Sequence, residues 1–477
     1  MNTKVIVKRL FAAFIVVACI TLCSCSSDTA TLLIEKEFPN QPIEFTQDEG
    51  RYLTNLHKSN RVSRQEAIDK IIEESNTSLT RGTNDLQEIG IIYKNELGIE
   101  TNDTLLPDTL AYLFESENQK QRYIVSADNR TSLSLLAETD SIDFYNDSTE
   151  TDLIINDIIR KGIANYVRNE IKQYEEKKDS ILKEIKYKLS QLNLHDSAVV
   201  VTRRPVPGEN DIDYNDISIE EYTIEDWHEI TYINPMISVT WDQREPYNNY
   251  VKSYLSCNSV PTGCVTTAIA QLMTKWSFPQ NGNWPSYYGW LSLIQNPAIY
   301  PNGYNDSTVD LVANLMKRIF DDCITEYDCD DSSSTLDIAR SYLTSLGYTA
   351  DNIIYYSGSA VISSLNNGCP VLIGGYYTEE SGHCWIIDGY QRKKKTTRRV
   401  TYAFDRTLDR YVVIHTSDYD SYSTMVSNNW GDGHPNKRWL IEGCFDYNLG
   451  VKNITRMLSD GSVIYNVRIV TNIHPNI

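Results

Sequence analysis

The pattern of apolar and polar positions predicts a small α+β unit near the start of the chain. Ser63 is followed three residues later by Glu66, the spacing of a capping box at the start of a helix. Four strand-like runs follow, at 88–94, 110–115, 122–126 and from 133. The apolar residues of the predicted helix share one face and are Ala67, Ile68, Ile71 and Ile72.

A second pattern, of helical period, occupies residues 152–194 and predicts one or two long amphipathic helices. Residues 196–230 contain two prolines, a glycine and an acidic run, which are typical of a linker. Proteases often cut such segments, and the candidate cleavage sites are Arg203-Arg204 and the stretch up to Ile230. The predicted division of the chain is 1–24 signal peptide, 25–58 tether, 59–145 α+β unit, 146–195 helical segment, 196–230 linker and 231–477 C-terminal domain.

The N-terminus has the layout of an export signal. Positive residues precede an apolar run from Leu10 to Leu22, which is too short to span a bilayer. The sequence Leu22-Cys23-Ser24-Cys25 is similar to a bacterial lipobox, so we expect cleavage before Cys25 and a diacylglycerol anchor on its thiol. The alternatives are an ordinary signal peptide with incidental cysteines, or a poorer lipobox that ends at Cys23. The expected location is extracytoplasmic, on the periplasmic face or the cell surface, with release after processing left open.

Composition and charge narrow the possible partners. Hydrophobic residues make up 41% of the 477 residues, as in globular proteins, which excludes a disordered or polytopic membrane protein. The formal net charge is −20, so general nucleic-acid binding is not expected. One basic stretch, 392–399, lies between two strand-like runs, and we interpret it as a solvated hairpin rather than a polyanion site.

The cysteines suggest neither zinc binding nor a complete set of disulfides. Seven of the ten cysteines follow position 256, and an odd number leaves at least one thiol unpaired. Cys323 and Cys329 flank an acidic stretch and could pair, but spacing alone does not decide a pairing. No CxxC pair is present among the seven, so a structural zinc site is not expected.

The strongest chemical pattern lies in the C-terminal domain. Gly263 precedes Cys264 and an apolar helical run, which places the thiol at a helix N-terminus, where its pKa is expected to be lowered. His383 begins an apolar strand, and a polar and aromatic turn at 428–431 follows it. A cysteine, a histidine and an asparagine in this order are typical of enzymes that attack carbonyl groups with a thiolate. Cys384 is expected in the core on the opposite face of the strand, and Asp388 is interpreted as a turn former.

These motifs resemble the streptopain family of secreted bacterial cysteine peptidases over roughly residues 231–477. The resemblance implies an α+β fold: a papain-like catalytic domain, with a helical subdomain and an antiparallel β subdomain, preceded by a small α+β prodomain. Residues 60–145 are similar to the family's propeptide, notably at 62–71 and 123–130. The motifs that carry the resemblance are Trp241-Asp242-Gln243, Gly263-Cys264-Val265, Gly382-His383 with Ile387-Asp388-Gly389, and Asn429-Trp430-Gly431.

The resemblance also assigns roles to five residues. It implies Cys264 as nucleophile, His383 as general base and Gln243 as an oxyanion-hole donor beside the Cys264 amide. It implies Trp430 as the tryptophan that flanks the histidine and Asn429 as the residue that orients it. Asn428 is the neighbouring rival of Asn429, and 432–434 departs from the Trp-Gly-Gly continuation that is common in the family, which leaves substrate preference open.

The sequence therefore predicts a secreted, lipid-anchored cysteine endopeptidase made as a zymogen. Its expected partners are protein or peptide substrates, its own prodomain as inhibitor, and the membrane through the anchor; no metal or organic cofactor is implied. One alternative is another acyl-transfer enzyme on the same framework, such as a peptidoglycan amidase or a transglutaminase. A second alternative is a surface lipoprotein that binds a partner without catalysis.

Overall fold

The computed structural model places helices and strands along most of the chain after residue 43. The predicted signal peptide, Cys25 and the Arg203-Arg204 pair lie outside the described residues. Within the described ranges, no helix is both long and apolar enough to cross a membrane. Those ranges are 44–56, 58–75, 86–97, 104–116, 121–139, 150–191, 217–296, 306–376, 382–405, 409–434, 438–446 and 467–476.

The N-terminal unit has the predicted capped helix and four antiparallel strands. The Ser63 hydroxyl accepts a hydrogen bond from the Glu66 amide, and the Glu66 carboxylate accepts one from the Ser63 amide, so the capping box is confirmed. Ala67 and Ile71 are buried against the sheet. The elements are α1 (Gln47–Asn55), α2 (Arg64–Glu74), β1 (Leu86–Tyr93), β2 (Thr109–Ser116), β3 (Arg122–Ser126) and β4 (Leu135–Thr139).

The helical segment is a single long helix, α3 (Glu150–Ser190). Its isoleucines recur three or four residues apart, and Ile155, Ile159 and Ile163 are buried in one cluster. The same cluster contains residues of both the N-terminal and the C-terminal parts of the sheet, so α3 packs between them.

The C-terminal half combines five helices with an antiparallel sheet, which confirms the α+β class expected for a papain-like catalytic domain. Its helices are α4 (Cys264–Trp276), α5 (Tyr287–Gln295), α6 (Asp306–Cys323), α7 (Leu336–Ser345) and α8 (Gly358–Asn366). Its strands are β5 (Ile217–Ile233), β6 (Glu326–Tyr327), β7 (Ser332–Ser333), β8 (Tyr348–Thr349), β9 (Ile354–Tyr355), β10 (Val371–Tyr376), β11 (Gly382–Asp405), β12 (Arg410–Asn429), β13 (Arg438–Ile441), β14 (Arg468–Val470) and β15 (His474–Pro475).

One antiparallel sheet runs through both halves of the described chain. Its strand order is β1-β2-β3-β4-β13-β12-β11-β10-β14-β9, and β5 pairs with β11 outside this path. The two halves join where Ala137 of β4 pairs with Leu440 of β13 and Thr139 pairs with Arg438. One sheet face packs on α3 and α8, and the other packs on α4, α6 and α7 through Leu372, Cys384 and Ile386. The predicted core position of Cys384 is therefore confirmed.

Strands β5, β11 and β12 extend together as a long three-stranded arm, which we define as residues 217–233, 390–405 and 410–427. The basic stretch lies in this arm and pairs with acidic side chains: Arg398 with Asp418, Lys394 with Asp420, and Arg399 with Glu221. The hairpin part of the interpretation is confirmed. The stretch is not wholly solvated, because Lys393 and Arg399 are buried and Lys395 pairs with Glu73 of α2.

Regular structure also forms where the sequence suggested connecting segments. The tether contains α1, which has its own capping box between Thr46 and Glu49 and buries Tyr52. The linker contains most of β5, whose side chains are largely exposed and whose pairing with β11 is made by the backbone. An edge strand of this kind buries no face, so it lacks the apolar alternation that would have revealed it.

One disulfide forms among the described cysteines, and it differs from the suggested pair. Cys257 bonds Cys329, with 6.0 Å between their Cα atoms, so pairing between Cys323 and Cys329 is wrong. Cys323 is buried at the end of α6 with a free thiol. The other free cysteines in these ranges are Cys264, Cys369, Cys384 and Cys444.

Candidate active site

The nucleophile helix begins at Cys264, as the sequence predicted, and Gly263 makes the sharp turn into it. Gly263 has a φ of 81°, in the region that side-chain-bearing residues avoid. A Cβ at this position would also lie 2.5 Å from the carbonyl oxygen of Ser332. Both the backbone angle and the lack of space therefore require a glycine at this position.

The thiol of Cys264 lies next to the strand that carries His383. The nearby backbone N–H groups of Cys384, Val265 and Cys264 itself act on its sulfur and lower the pKa of the thiol. Burial nevertheless raises the pKa of Cys264 to about 11, and the negative charge of Asp331 adds to the rise. The expectation of a lowered pKa is therefore wrong for this structure, because desolvation outweighs the helix N-terminus and the amides.

His383 is buried and held between backbone and aromatic partners. Its Nε2 lies 2.8 Å from the carbonyl oxygen of Trp430. A carbonyl only accepts, so Nε2 carries the proton and Nδ1 is the basic nitrogen of the neutral ring. The imidazole stacks on the indoles of Trp385 and Trp430, with 6.0 Å between ring centroids in each case.

Trp385 is a contact of His383 that the sequence did not single out. It lies two residues along the same strand, stacks on Trp430 with centroids 4.5 Å apart, and is fully buried. Strand alternation was the available signal, because residues i and i+2 of a strand face the same side.

The two asparagines of the turn bond to backbone groups and to the indole of Trp385. The Asn429 side chain donates to the Val239 carbonyl at 2.8 Å, and its Oδ1 accepts from the Gly431 amide at 3.4 Å. Asn428 accepts from the Trp385 indole N–H at 3.0 Å. Asn429 thus ties the turn to the segment at Val239, and His383 Nε2 donates to the Trp430 carbonyl. The orienting role of Asn429 stays a prediction.

Gln243 is buried and attached to the start of the nucleophile helix. The backbone carbonyl oxygen of Gln243 accepts hydrogen bonds from the backbone N–H and the hydroxyl of Thr262, at 2.8 and 3.3 Å. Thr262 is two residues before Cys264, so these bonds hold the backbone of Gln243 next to the start of the helix that Cys264 begins.

Asp388 belongs to the support of the sheet. One of its carboxylate oxygens accepts from the Ile237 amide at 3.1 Å, and its carbonyl accepts from the Met236 amide at 3.0 Å. It therefore ties the segment that precedes Trp241 to β11. No group of three or more histidine, cysteine or acidic side chains within the described ranges is arranged to hold a metal ion.

Comparison with known proteins places this site in a family. Residues 241–404 match the model of the Peptidase C10 family, which is the streptopain family, and this segment contains Gln243, Cys264 and His383. No curated protein matches the chain.

Two solved structures from Prevotella intermedia are similar to the chain. One is a fragment of prointerpain A that carries a cysteine-to-alanine substitution; it has 16% identity and a TM-score of 0.43, covering 78% of this chain and 98% of that one. The other is active wild-type interpain A cysteine protease, with 18% identity and a TM-score of 0.33, covering 52% of this chain and 96% of that one. The family match over residues 241–404, together with a cysteine at a helix N-terminus beside a histidine strand, shows that the chain is a cysteine-type peptidase with a segment similar to the Peptidase C10 family.

Proposed function

We propose that the chain is an exported, lipid-anchored cysteine endopeptidase that is made as a zymogen. The observation that carries the catalytic part is the contact of the Cys264 sulfur with the backbone N–H of Cys384, directly after His383. This contact brings the nucleophile to the strand of the base, as peptide-bond hydrolysis by a thiolate requires.

The proposed reaction gives each of these groups one role. His383 Nδ1 takes the proton of Cys264, and the thiolate attacks the peptide carbonyl carbon. The backbone N–H of Cys264 and the side-chain amide of Gln243 stabilise the oxyanion. The C–N bond then breaks, the leaving amine takes the proton from His383, and a thioester remains. Water, deprotonated by His383, hydrolyses the thioester and restores the thiol.

The zymogen part of the proposal is supported by the way the N-terminal unit meets the catalytic half. Tyr166 of α3 lies against Gly443, where a Cβ would be 3.0 Å from its ring. The neighbouring Phe445 packs edge-on against Trp385 and Trp430, the two indoles that stack on His383. Helix α3, which precedes the catalytic half in the chain, therefore packs behind the residues that support His383, and the raised pKa of Cys264 is consistent with a latent state.

The membrane part of the proposal rests on the sequence around Cys25. Metabolic labelling with a radioactive fatty acid tests it: the wild-type chain is expected to incorporate label, and Cys25→Ala is expected not to. Label that persists in Cys25→Ala would contradict the anchor at this residue without affecting the peptidase.

Casein cleavage under reducing conditions tests the endopeptidase function. The processed enzyme is expected to cleave casein, to lose this activity to a cysteine-directed epoxide, and to leave muropeptides intact. Cleavage of muropeptides but not casein would favour the amidase, and crosslinking of glutamine to lysine side chains would favour the transglutaminase. Failure of a thiol-reactive peptidyl probe to label Cys264 would favour the binding lipoprotein.

A further inference from the structure

A buried glutamine on the nucleophile helix contacts the segment that carries the proposed oxyanion donor. Gln271 lies on α4, two helical turns after Cys264, and its side chain is fully buried. Its Oε1 accepts a hydrogen bond of 2.9 Å from the backbone N–H of Trp241. Trp241 is two residues before Gln243, so this bond fixes the backbone directly ahead of that donor.

The same segment is also bonded to the turn that follows β12. The Trp241 carbonyl accepts from the Gly433 amide at 3.2 Å, and the Val239 carbonyl accepts from the side chain of Asn429 at 2.8 Å. The nucleophile helix, the segment before Gln243 and the turn beside His383 therefore meet at Trp241. Gln271 is the side chain by which the helix takes part in this junction.

The bond from the Trp241 N–H gives the acceptor of Gln271 a role in the stability of the fold, but it does not explain the donor of this side chain. Its Nε2 is buried and has no hydrogen-bond partner among the described residues. A buried donor without a partner costs free energy, and an apolar side chain of similar size would avoid that cost. The Nε2 group faces the turn, since a Cβ on Gly431 would lie 3.5 Å from it. The benefit of Gln271 must come from the bond that its Oε1 makes.

We propose that Gln271 is a positioning residue for catalysis, which holds Gln243 at the oxyanion site by fixing the backbone of Trp241. This inference rests on the role proposed for Gln243. Oxyanion donors act only when they are held at the right distance, and a misplacement of about 1 Å can cost roughly 100-fold in rate. Gln271 therefore acts on the reaction without touching the substrate.

A double-mutant cycle tests the proposal. The full chain is processed in trans by a trace of tagged wild-type enzyme, which is then removed, and kcat and KM are measured on a peptide substrate. Gln271→Met keeps the side-chain length and loses the acceptor. It is expected to lower kcat about 100-fold and to leave KM within about threefold. In a Gln243→Ala background the same change is expected to cost less than about threefold, because the donor that it positions is already gone.

Three further measurements separate positioning from a general effect on the helix. Leu272→Ala alters a neighbouring, equally buried residue, and is expected to lower the melting temperature while changing kcat by the same small factor in both backgrounds. Alkylation of Cys264 by iodoacetamide forms no oxyanion, so Gln271→Met is expected to react within about threefold of wild type. Gln271→Glu keeps an acceptor for the Trp241 N–H and is expected to keep kcat within about tenfold.

Three results would overturn the inference. The first is a loss from Gln271→Met that is equally large with and without Gln243. The second is a parallel fall of kcat and alkylation rate, which would place the effect at the thiol. The third is near-normal kcat in Gln243→Ala, which would remove the oxyanion role of Gln243 and this inference with it, while the peptidase proposal stands. If Gln271→Met does not fold, the cycle is run with Gln271→Glu, with an expected loss of about three- to tenfold that is absent without Gln243.

Discussion

Cys264 combines two opposing influences on a single thiol. Its position at a helix N-terminus and its three backbone amide donors favour the thiolate, while burial favours the thiol and raises the pKa to about 11. The sequence reveals the helix start, but burial depends on residues far away in the chain, so the direction of the shift could not be predicted from the local motif.

This pKa predicts the pH dependence of Cys264 alkylation in the precursor. A His383→Ala precursor, which lacks the general base, is expected to react slowly with iodoacetamide at pH 7. Its rate should keep rising up to pH 10, because the thiolate fraction below a raised pKa grows with each pH unit. Mass spectrometry assigns the label to Cys264 rather than to the other free cysteines. A rate that already levels off below pH 8 would show that the thiol is not desolvated.

Replacement of the nucleophile gives the most direct prediction at this scale. Cys264→Ala is expected to abolish casein cleavage while leaving the fold intact, because no other residue of the site supplies a strong nucleophile. Cys264→Ser is expected to be equally inactive, since a hydroxyl is much less acidic than a thiol. Circular dichroism of each variant checks the fold, and casein cleavage by Cys264→Ala at the wild-type rate would refute the peptidase mechanism.

The support of His383 shows where residue-level inference stops. The sequence identifies His383 and Trp430, and the structure places the two in contact. The sequence could not identify the acceptor for His383 Nε2, because this acceptor is a backbone carbonyl, which every residue has. Asn429 was predicted to orient His383, and in the structure its NH2 group donates to the Val239 carbonyl.

At the scale of elements, the strength of the periodic pattern decides what can be predicted. Helix α3 was predicted because its apolar residues recur at helical spacing and are buried on one side. Strand β5 was not, because its side chains are mostly exposed and its place is fixed by backbone pairing with β11. Helix α1 was missed because it is short and buries few apolar residues, Tyr52 and Leu53.

The packing of α3 predicts that a core substitution in it destabilises both halves of the protein. In a Cys264→Ala background, Ile163→Ala is expected to lower the free energy of unfolding by about 2–5 kcal/mol, because Ile163 is fully buried in the cluster shared with the catalytic sheet. Leu153→Ala is the matched control on the same helix, where the side chain is 49% exposed, and should change stability by less than about 0.5 kcal/mol. Urea unfolding measures both. Equal effects of the two substitutions would mean that α3 is not packed in this core.

At the scale of the whole molecule, the N-terminal unit and the catalytic half share a sheet and a core. Strand β4 pairs with β13, and α3 lies against residues of both halves. The separate motifs could be identified from the sequence, but the junction between them could not, since strand pairing between distant segments leaves no local pattern. The domain boundaries and the maturation site remain predictions.

The sheet restricts where a maturation cut can fall. A cut inside β5 would remove part of a strand that pairs with β11 from Ile217 to Ile233, so we expect the mature enzyme to keep the whole strand and to begin between 192 and 217. The candidate Arg203-Arg204 lies in this interval, and we do not expect a cut in the part of the predicted stretch between Ile217 and Ile230. At the mean residue mass of this chain, the mature fragment would have roughly 30–33 kDa, against about 52 kDa for the exported precursor.

Gel electrophoresis and N-terminal sequencing check this expectation. Wild type is expected to convert to the smaller fragment over time, and Cys264→Ala is expected to stay at the precursor mass, because trimming needs its own thiolate. Adding a trace of wild-type enzyme to Cys264→Ala should produce the same N-terminus, which separates cleavage from folding. An N-terminus after Ile233 would show that β5 is dispensable. Full activity of uncut wild type would show that the N-terminal unit is a permanent part of the enzyme and not an inhibitor. Equal activity of the chain before and after removal of this unit would lead to the same conclusion.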